Sequence, residues 1–501
     1  TGASLTTIGQ GGAANNSDKG YVKAVVTDTY GNLVSGAVVN FSADNGGTIA
    51  ATGTTGTDGS VLMAVTSTVA GLSTVTASHN GSTATTGVNF VADSGTAGLT
   101  NIGGGLSTVV NNAVANDTDT NSVKAVVTDK FGNLVKGAVV RFSSSGNEAT
   151  ISDTGITGVD GSVTMTLTSS LAKLHTVTAS INGSTATTGV SFVADSSTAA
   201  MFPNMTIVKD GAIANGSDTN SVKAVVIDKF YNPVSGAVVN FSADNGATIA
   251  ATGTTGADGS VTVTLTSTTV SQSRVTASYN NSSVYTYVRF VADSGTGSLT
   301  GSGAGLSTVK DRAVANGSDT NSVKAVVTDQ SGNPVSGAVV NFSADNGATV
   351  AATGTTGTDG SVTVTLTSTK AGQSTVTASH NGSTATTGVN FVADGSTARL
   401  SGLTIIKNGA MADGSDTNRV STVVTDANGN PISGVAVFFS ANNGATITGL
   451  RPDMNGDFYA ITGSDGSVTA NLTSFFMGTS TVTASIFRVG FGSVGAQVDF
   501  F

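Results

Sequence analysis

Gly259-Ser-Val-Thr-Val-Thr-Leu-Thr-Ser267 places Val261, Val263 and Leu265 on one side of an extended chain and Thr262, Thr264 and Thr266 on the other. Alternation with a period of two marks a strand with one face buried and one in water, and both residue classes suit the pleat. Outward from this stretch the pattern recurs at Val222, Ala224 and Val226, at Ala237, Val239 and Phe241, at Val275 and Ala277, and at Val288 and Phe290. Between these runs stand Tyr231-Asn-Pro-Val-Ser-Gly236, Asp244-Asn-Gly246 and Ala257-Asp-Gly259. Their Asn, Asp and Gly tolerate left-handed backbone angles, and the Pro fixes φ. About seven short strands with turn signals between them, and no helical periodicity, predict an all-β fold of immunoglobulin-like sandwich type.

The stretch from Val234 to Thr268 returns from Val335 to Thr369 with only Ile249→Val350 and Ala257→Thr358 changed. Val-Lys-Ala-Val-Val begins at Val22, Val123, Val222 and Val323, and a degraded copy begins at Val420, so the spacings are 101, 99, 101 and 97 residues. A solenoid repeat runs to roughly 20–50 residues, whereas a period near 100 suits a complete small domain. Five modules in series are expected, at residues 1–95, 96–196, 197–294, 295–395 and 396–501, with boundaries at a recurring Phe-Val-Ala-Asp that ends at Asp93, Asp195, Asp293 and Asp394. The linkers are short, which limits bending. At about 3.3 Å per strand residue the five modules would form a semi-rigid rod of roughly 150–200 Å.

Composition narrows the function. Only 10% of residues are charged, and a net charge of −10 with 21 Lys and Arg leaves no basic stripe for nucleic acid. There is no Cys for disulfides or thiolate metal sites, and no Trp of the kind buried in antibody domains. No run of 18 apolar residues exists and Thr1-Gly-Ala-Ser is not a signal segment, so any leader or membrane anchor is expected outside this stretch. His79, His175 and His380 fall in separate modules, and no catalytic dyad or metal cluster can be assembled from them. Asn116-Asp-Thr-Asp-Thr-Asn121 and Asn215-Gly-Ser-Asp-Thr-Asn220 hint at calcium between modules, but Glu148 is the only Glu and turn chemistry explains them better. No enzyme and no cofactor is expected; a glycan hydrolase would need paired carboxylates in a cleft.

Taken together, VTDxxGNxVxGAVVxFS, TGxDGSVTxTLTS, TVTAS and GVxFVADS resemble the bacterial Ig-like domain of group 1, the repeated module of the intimin and invasin adhesins. The motifs recur in fixed order, as at Asp329 to Pro334, Val340 to Ser343 and Thr375 to Ser379, and cover nearly the whole chain. The resemblance implies an array that follows an outer-membrane β-barrel anchor, is secreted C-terminus outward and holds an adhesive tip away from a bacterial cell. The best-known members end in a lectin-like domain with a disulfide. Here a fifth sandwich without Cys or Trp stands at that position, so their receptor is not carried over.

The fifth module departs from its neighbours. It holds Phe438, Phe439, Phe458, Phe475, Phe476, Phe487, Phe491, Phe500 and Phe501, nine of the 20 Phe residues. Aligning Ile447 with Val350 and Asp465 with Asp359 leaves nine extra residues around Leu450-Arg-Pro-Asp-Met-Asn-Gly-Asp-Phe-Tyr459. A second insertion, Ile486-Phe-Arg-Val-Gly-Phe-Gly-Ser493, precedes the last strand, and Thr369-Lys-Ala371 of module four becomes Phe475-Phe-Met477. The two insertions are assigned to the D–E and F–G connections at one end of the sandwich, and the Phe-Phe-Met change to the E–F connection at the other. Aromatic, Met and Arg residues on loops of a rigid scaffold suit a recognition patch. The candidate partner-binding residues are therefore Leu450, Arg451, Met454, Phe458, Tyr459, Phe475, Phe476, Met477, Phe487, Arg488 and Phe491, while Phe439 and Phe500 read as core. The chain closes at Val498-Asp-Phe-Phe501, and the fifth module reads as the free tip.

Module three offers a second surface. Tyr285-Thr-Tyr-Val-Arg-Phe290 replaces Thr-Thr-Gly-Val-Asn-Phe, and with Val288 and Phe290 inward, Tyr285, Tyr287 and Arg289 line the outer face. The expected partner is a host surface or secreted protein, a receptor or an immunoglobulin, bound through the last module. The alternative is a structural spacer whose outer faces support weak self-association.

Overall fold

The computed structural model describes residues 2–486 and 492–501. Strands are numbered within the third module: β1 (Ala200–Met201), β2 (Thr206–Lys209), β3 (Ala212–Ile213), β4 (Asn220–Ile227), β5 (Val238–Ala243), β6 (Thr248–Ile249), β7 (Thr252–Thr254), β8 (Ser260–Thr266), β9 (Gln272–Tyr279) and β10 (Ser282–Val291). One sheet places β4 between the β1/β2 edge and β8, with β6 beyond β8; the other runs β3-β10-β9-β5-β7. Pairing is antiparallel except where Ala212 and Ile213 lie parallel to Phe290 and Val291. In immunoglobulin lettering β4, β5, β8, β9 and β10 are B, C, E, F and G. Strand D is split: β6 pairs with β8 of one sheet, and after Ala250 and Ala251 the chain crosses so that β7 pairs with β5 of the other.

The period-two residues do what their spacing requires. Val222, Ala224, Val226, Val239, Phe241, Val261, Val263, Leu265, Val275, Ala277, Val288 and Phe290 close on one another as the core, while Thr262 and Thr264 face water. Every module has its own separate cluster of buried side chains, so the chain is five tandem Ig-like sandwiches and not one fused sheet. The turn motifs act as fasteners. Thr255 Oγ1 accepts the Ala237 N–H at 2.9 Å and donates to the Val234 carbonyl at 2.6 Å, tying the D–E loop to the chain before β5. Asn220 Oδ1 accepts from Ala212 N–H at 2.9 Å and its Nδ2 donates to the Arg289 carbonyl at 2.8 Å, which holds β3 against β10.

Successive sandwiches meet through one recurring device. The Ala of each Phe-Val-Ala-Asp, at Ala92, Ala194, Ala292 and Ala393, packs onto the core of the following module. The N–H of the next residue, Asp93, Asp195, Asp293 or Asp394, donates to Oδ2 of a buried aspartate in that module: Asp129, Asp228, Asp329 or Asp426. That aspartate grips the Asn four residues on, and the Asn reaches back across the boundary. Asn133 Oδ1 accepts from Ala70 N–H at 2.8 Å while Nδ2 donates to the Thr68 carbonyl at 2.9 Å. Asn232 repeats this with Ala172 and Ser170 at 2.8 and 2.8 Å, and Asn333 with Val270 and Thr268 at 3.0 and 3.1 Å. Asn430 does so with Ala371 and Thr369 at 2.7 and 2.9 Å. In every case the B–C turn of one module clasps the E–F turn of the module before it.

Candidate partner-binding surfaces

Each sandwich therefore has an entry end, with the B–C clasp, and an exit end, with the E–F turn. In the fifth module Asn418 pairs with Leu472 and Val423 with Ser467, so the chain enters β-strand B beside the E–F turn and leaves it at the clasp. Because Asn430 engages module four, Phe475, Phe476 and Met477 lie at the end facing away from the array.

These three side chains are 76%, 67% and 79% exposed. Local geometry holds the turn: Ser474 Oγ donates to the Phe476 carbonyl at 2.8 Å and accepts its N–H at 2.9 Å, as Ser267 does with Thr269. The Phe475 ring lies against Gly414, at φ +77°, and the Phe476 ring against Gly444, at φ +76°, so closely that a Cβ on either glycine would collide with the ring. The two aromatics are thus seated on bare backbone. Met411 and Phe501 are exposed at the same end, where Phe501 N–H donates to the Ala410 carbonyl at 3.0 Å and Ala412 N–H to the Phe501 carbonyl at 2.8 Å. Neither Met411 nor Phe501 is among the candidate residues drawn from the sequence. They lie ninety residues apart along the chain, and the only available signal was the larger side chain where modules three and four have Ile213 or Val314 and Val291 or Val392.

The nine-residue insertion is not in the D–E connection. That connection is Thr462 to Gly466, of ordinary length, with Val435 N–H donating to Thr462 Oγ1 at 3.0 Å. The insertion instead widens the crossing between the two halves of strand D, Ala445–Thr448 and Phe458–Ile461, and folds Arg451–Pro452 back on Tyr459 and Phe458 as an added edge strand. It sits on the flank of the sandwich, away from the Phe-Phe-Met end. Leu450 and Phe458 are half-buried against the module core, and Phe439 and Phe500 are core residues. Tyr459 is half-buried with its ring 5.7 Å from that of Phe438, whereas Arg451 and Met454 are exposed. Phe487, Arg488 and Phe491 lie outside the described residues.

In module three Tyr285, Tyr287 and Arg289 are exposed on the outer face of β10, with Val288 and Phe290 buried between them. Tyr285 and Tyr287 meet edge to face at 5.8 Å, and the Arg274 guanidinium from β9 covers Tyr285 at 4.1 Å from its centroid. Cross-strand packing accounts for this ladder. The segments weighed for calcium are Asx turns: Asn215 Oδ1 accepts from Ser217 and Asp218 N–H at 2.9 and 2.8 Å. Lys209, at 2.6 Å, and the Ile213 N–H hold the Asp218 carboxyl down at about 2. His175 is buried at the exit end of module two, with Nε2 3.3 Å from Ser169 Oγ and its ring edge-on to Phe192.

The bacterial Ig-like domain (group 1) family matches residues 3–91, 104–193, 203–291, 304–392 and 400–500. The chain belongs to this family. It is 30% identical over 498 residues to the inverse autotransporter adhesin YeeJ of Escherichia coli (strain K12), a match covering 94% of this chain and 20% of that protein. The chain thus spans about a fifth of the length of this curated relative. Among solved structures, invasin, described as a bacterial integrin-binding protein, is 18% identical with a TM-score of 0.39, over 82% of this chain and 83% of that one. The Escherichia coli adhesin FdeC is 22% identical with a TM-score of 0.42, over 58% of this chain and 96% of that one.

Proposed function

We propose that this chain is part of a bacterial surface adhesin in which the first four sandwiches act as a stalk and the fifth contacts a host protein. One observation carries the reading: Met411, Phe475, Phe476, Met477 and Phe501 gather five large apolar side chains at the outward end of the fifth module. In modules one to four the corresponding turn is occupied by the next sandwich. Contiguous apolar surface rimmed by polar residues marks a contact site, and aromatic rings fixed in place lose little freedom on binding. The stalk contribution is mechanical. Four clasps and short linkers restrain bending, so the outward end is held at a set distance from the array's other end. The family membership and the relationship to YeeJ support an exported, cell-surface setting with a membrane anchor elsewhere in the protein.

The test compares the full chain with a Phe475→Ser, Phe476→Ser variant for binding to host cells and immobilised serum proteins. Binding by the unaltered chain that falls at least tenfold in the variant supports the reading, since two hot-spot aromatics contribute about 2 kcal/mol or more. Equal binding by both chains, or self-association as the only interaction, contradicts it.

A further inference from the structure

Modules three and four differ at two positions between Val234 and Thr268 and its counterpart stretch, but on β9 and β10 four outward residues change together. Arg274 stands where modules one and four have Thr74 and Thr375, Tyr285 where they have Thr85 and Thr386, Tyr287 where they have Gly87 and Gly388, and Arg289 where they have Asn89 and Asn390. The buried Val275, Ala277, Val288 and Phe290 beneath them are the same residue types in all three modules. Cross-strand packing holds the four side chains in place, yet modules one and four build the same sheet without them, so the fold does not require them. Their binding groups are left open. Tyr285 and Tyr287 are 56% and 46% exposed. Lys209 and Lys223 pair with Asp218 and Asp258, whereas among the described residues neither Arg274 nor Arg289 forms an ion pair. Asp244 and Asp210 instead accept the backbone N–H groups of these two arginines, at 2.6 and 2.6 Å. One edge carbonyl also loses its donor. Thr7, Thr108 and Thr308 donate to the Gly87, Gly189 and Gly388 carbonyls at 2.7, 2.9 and 2.9 Å, but Ile207 stands at that register in module three and has no donor for the Tyr287 carbonyl. Beyond Tyr287 the face runs into a groove of about 340 Å³ at the boundary of modules three and four, lined by Val270, Arg289 and Val291 on one side and by Pro334, Ser336 and Thr358 on the other.

We propose that Arg274, Tyr285, Tyr287 and Arg289, with the adjoining groove, bind an acidic glycan, a chain of carboxylate-bearing sugars. Free guanidinium forks take a carboxylate through paired hydrogen bonds. Tyrosine rings offer an apolar surface to the C–H face of a pyranose, and the Tyr287 carbonyl offers an acceptor to a hydroxyl. A uronic or sialic acid unit presents all three kinds of group on one ring, and the groove has the volume of a small-ligand site. An added peptide strand fits less well, because strand addition is held by a run of free main-chain groups. Here the run is interrupted two residues after Tyr287, where Asp210 takes the Arg289 N–H and Asn220 and the Gly211 N–H take the Arg289 carbonyl. The inference concerns modules three and four and stands whether or not the outward end of the fifth module binds a host protein.

The repeats themselves supply the test variants. Arg274→Thr with Arg289→Asn, and separately Tyr287→Gly, introduce the residues that module four carries at Thr375, Asn390 and Gly388, so the sandwich has a working precedent for each. The 501-residue chain is titrated at low salt with tetragalacturonate and with sialyllactose, each also as its methyl ester, and followed by calorimetry and ligand-observed NMR. At least one of the acidic sugars should bind, and its ester, which keeps the ring and removes the charge, should bind about tenfold more weakly or worse. Which sugar binds separates a uronic-acid polymer from a sialylated glycan. The double arginine variant should lose about tenfold or more in affinity, Tyr287→Gly should also weaken binding, and melting should stay as in the unaltered chain. The Phe475→Ser, Phe476→Ser variant should bind the sugar unchanged. Failure of both sugars to bind, equal binding of acid and ester, or equal binding by the arginine variant would overturn the proposal. So would binding of an oligoglutamate peptide, or self-association lost in the arginine variant, in place of sugar binding; these would assign the face to an acidic protein segment or to a second copy.

Discussion

Asn430 reaches across a module boundary to take the Ala371 N–H at 2.7 Å, while Asp426, wholly buried, holds the Asn430 amide at 2.8 Å from the other side. An asparagine so placed is both a turn residue of its own module and a bolt into the preceding one. Its removal should loosen the joint without unfolding either sandwich, because both cores are closed within their modules. Asn430→Ala loses two hydrogen bonds between modules, about 1–2 kcal/mol of coupling. Hydrogen exchange across residues 369–372 should then speed up by roughly 5–30-fold, with exchange in the two cores unchanged.

Acid should loosen the same joint. Burial pushes the Asp426 carboxyl up, but hydrogen bonds from the Asn430 amide and from the N–H groups of Asp394, Asn430 and Asn428 outweigh it and hold the group below the ordinary range. A carboxylate lowered on folding contributes stability that is present above its unfolded value of about 3.9 and is lost as pH falls through the folded value. Interdomain order measured by small-angle scattering should therefore persist from pH 7 to pH 5 and decline below about pH 4. Asp426→Asn should remove that dependence at this junction.

Independent cores predict independent melting. Leu265, on β8, is almost fully buried in the core of module three, and Leu265→Ala should destabilise that module by about 2–5 kcal/mol. Calorimetry should show one module's transition moved to lower temperature and the rest in place. A downward shift of the entire profile would mean that the sandwiches unfold as one unit.

The rings at the outward end should depend on the glycines beneath them. Gly414→Ala and Gly444→Ala each place a methyl group into the Phe475 or Phe476 ring, at backbone angles that L-residues adopt reluctantly. Each should weaken partner binding several-fold through displaced rings while costing the module roughly 1 kcal/mol or more from the positive φ. Measuring binding and melting on the same variants separates the two effects.

The sandwich was legible because period-two alternation and Asn-Gly turns state their structure locally. The position of the nine-residue insertion was not. Counting residues between Ile447 and Asp465 gives its size, but strand D changes sheets in modules three and four at Ala250-Ala251 and Ala351-Ala352, which carry no turn signal, so the count alone points to the next connection. The clasp is hidden in the sequence for a related reason. Asp-x-x-x-Asn reads as a turn within one module, and its partners in the other are backbone groups about sixty residues away, which any residue supplies. Of the candidate binding residues, the exposed Phe475, Phe476 and Met477 share the outward end of the fifth module with exposed Met411 and Phe501. Arg451 and Met454 lie apart on the flank, and Leu450, Phe458 and Tyr459 are half-buried.

Five closed sandwiches are bolted end to end by four asparagines. Small-angle scattering should compare the unaltered chain with the combined Asn133→Ala, Asn232→Ala, Asn333→Ala and Asn430→Ala variant. The unaltered chain should give an extended particle with a maximum dimension of roughly 150–200 Å, and the variant a broader, shorter distance distribution with intact module cross-section. A compact unaltered chain, or identical distributions for the two, would mean that the asparagines do not hold the sandwiches in line.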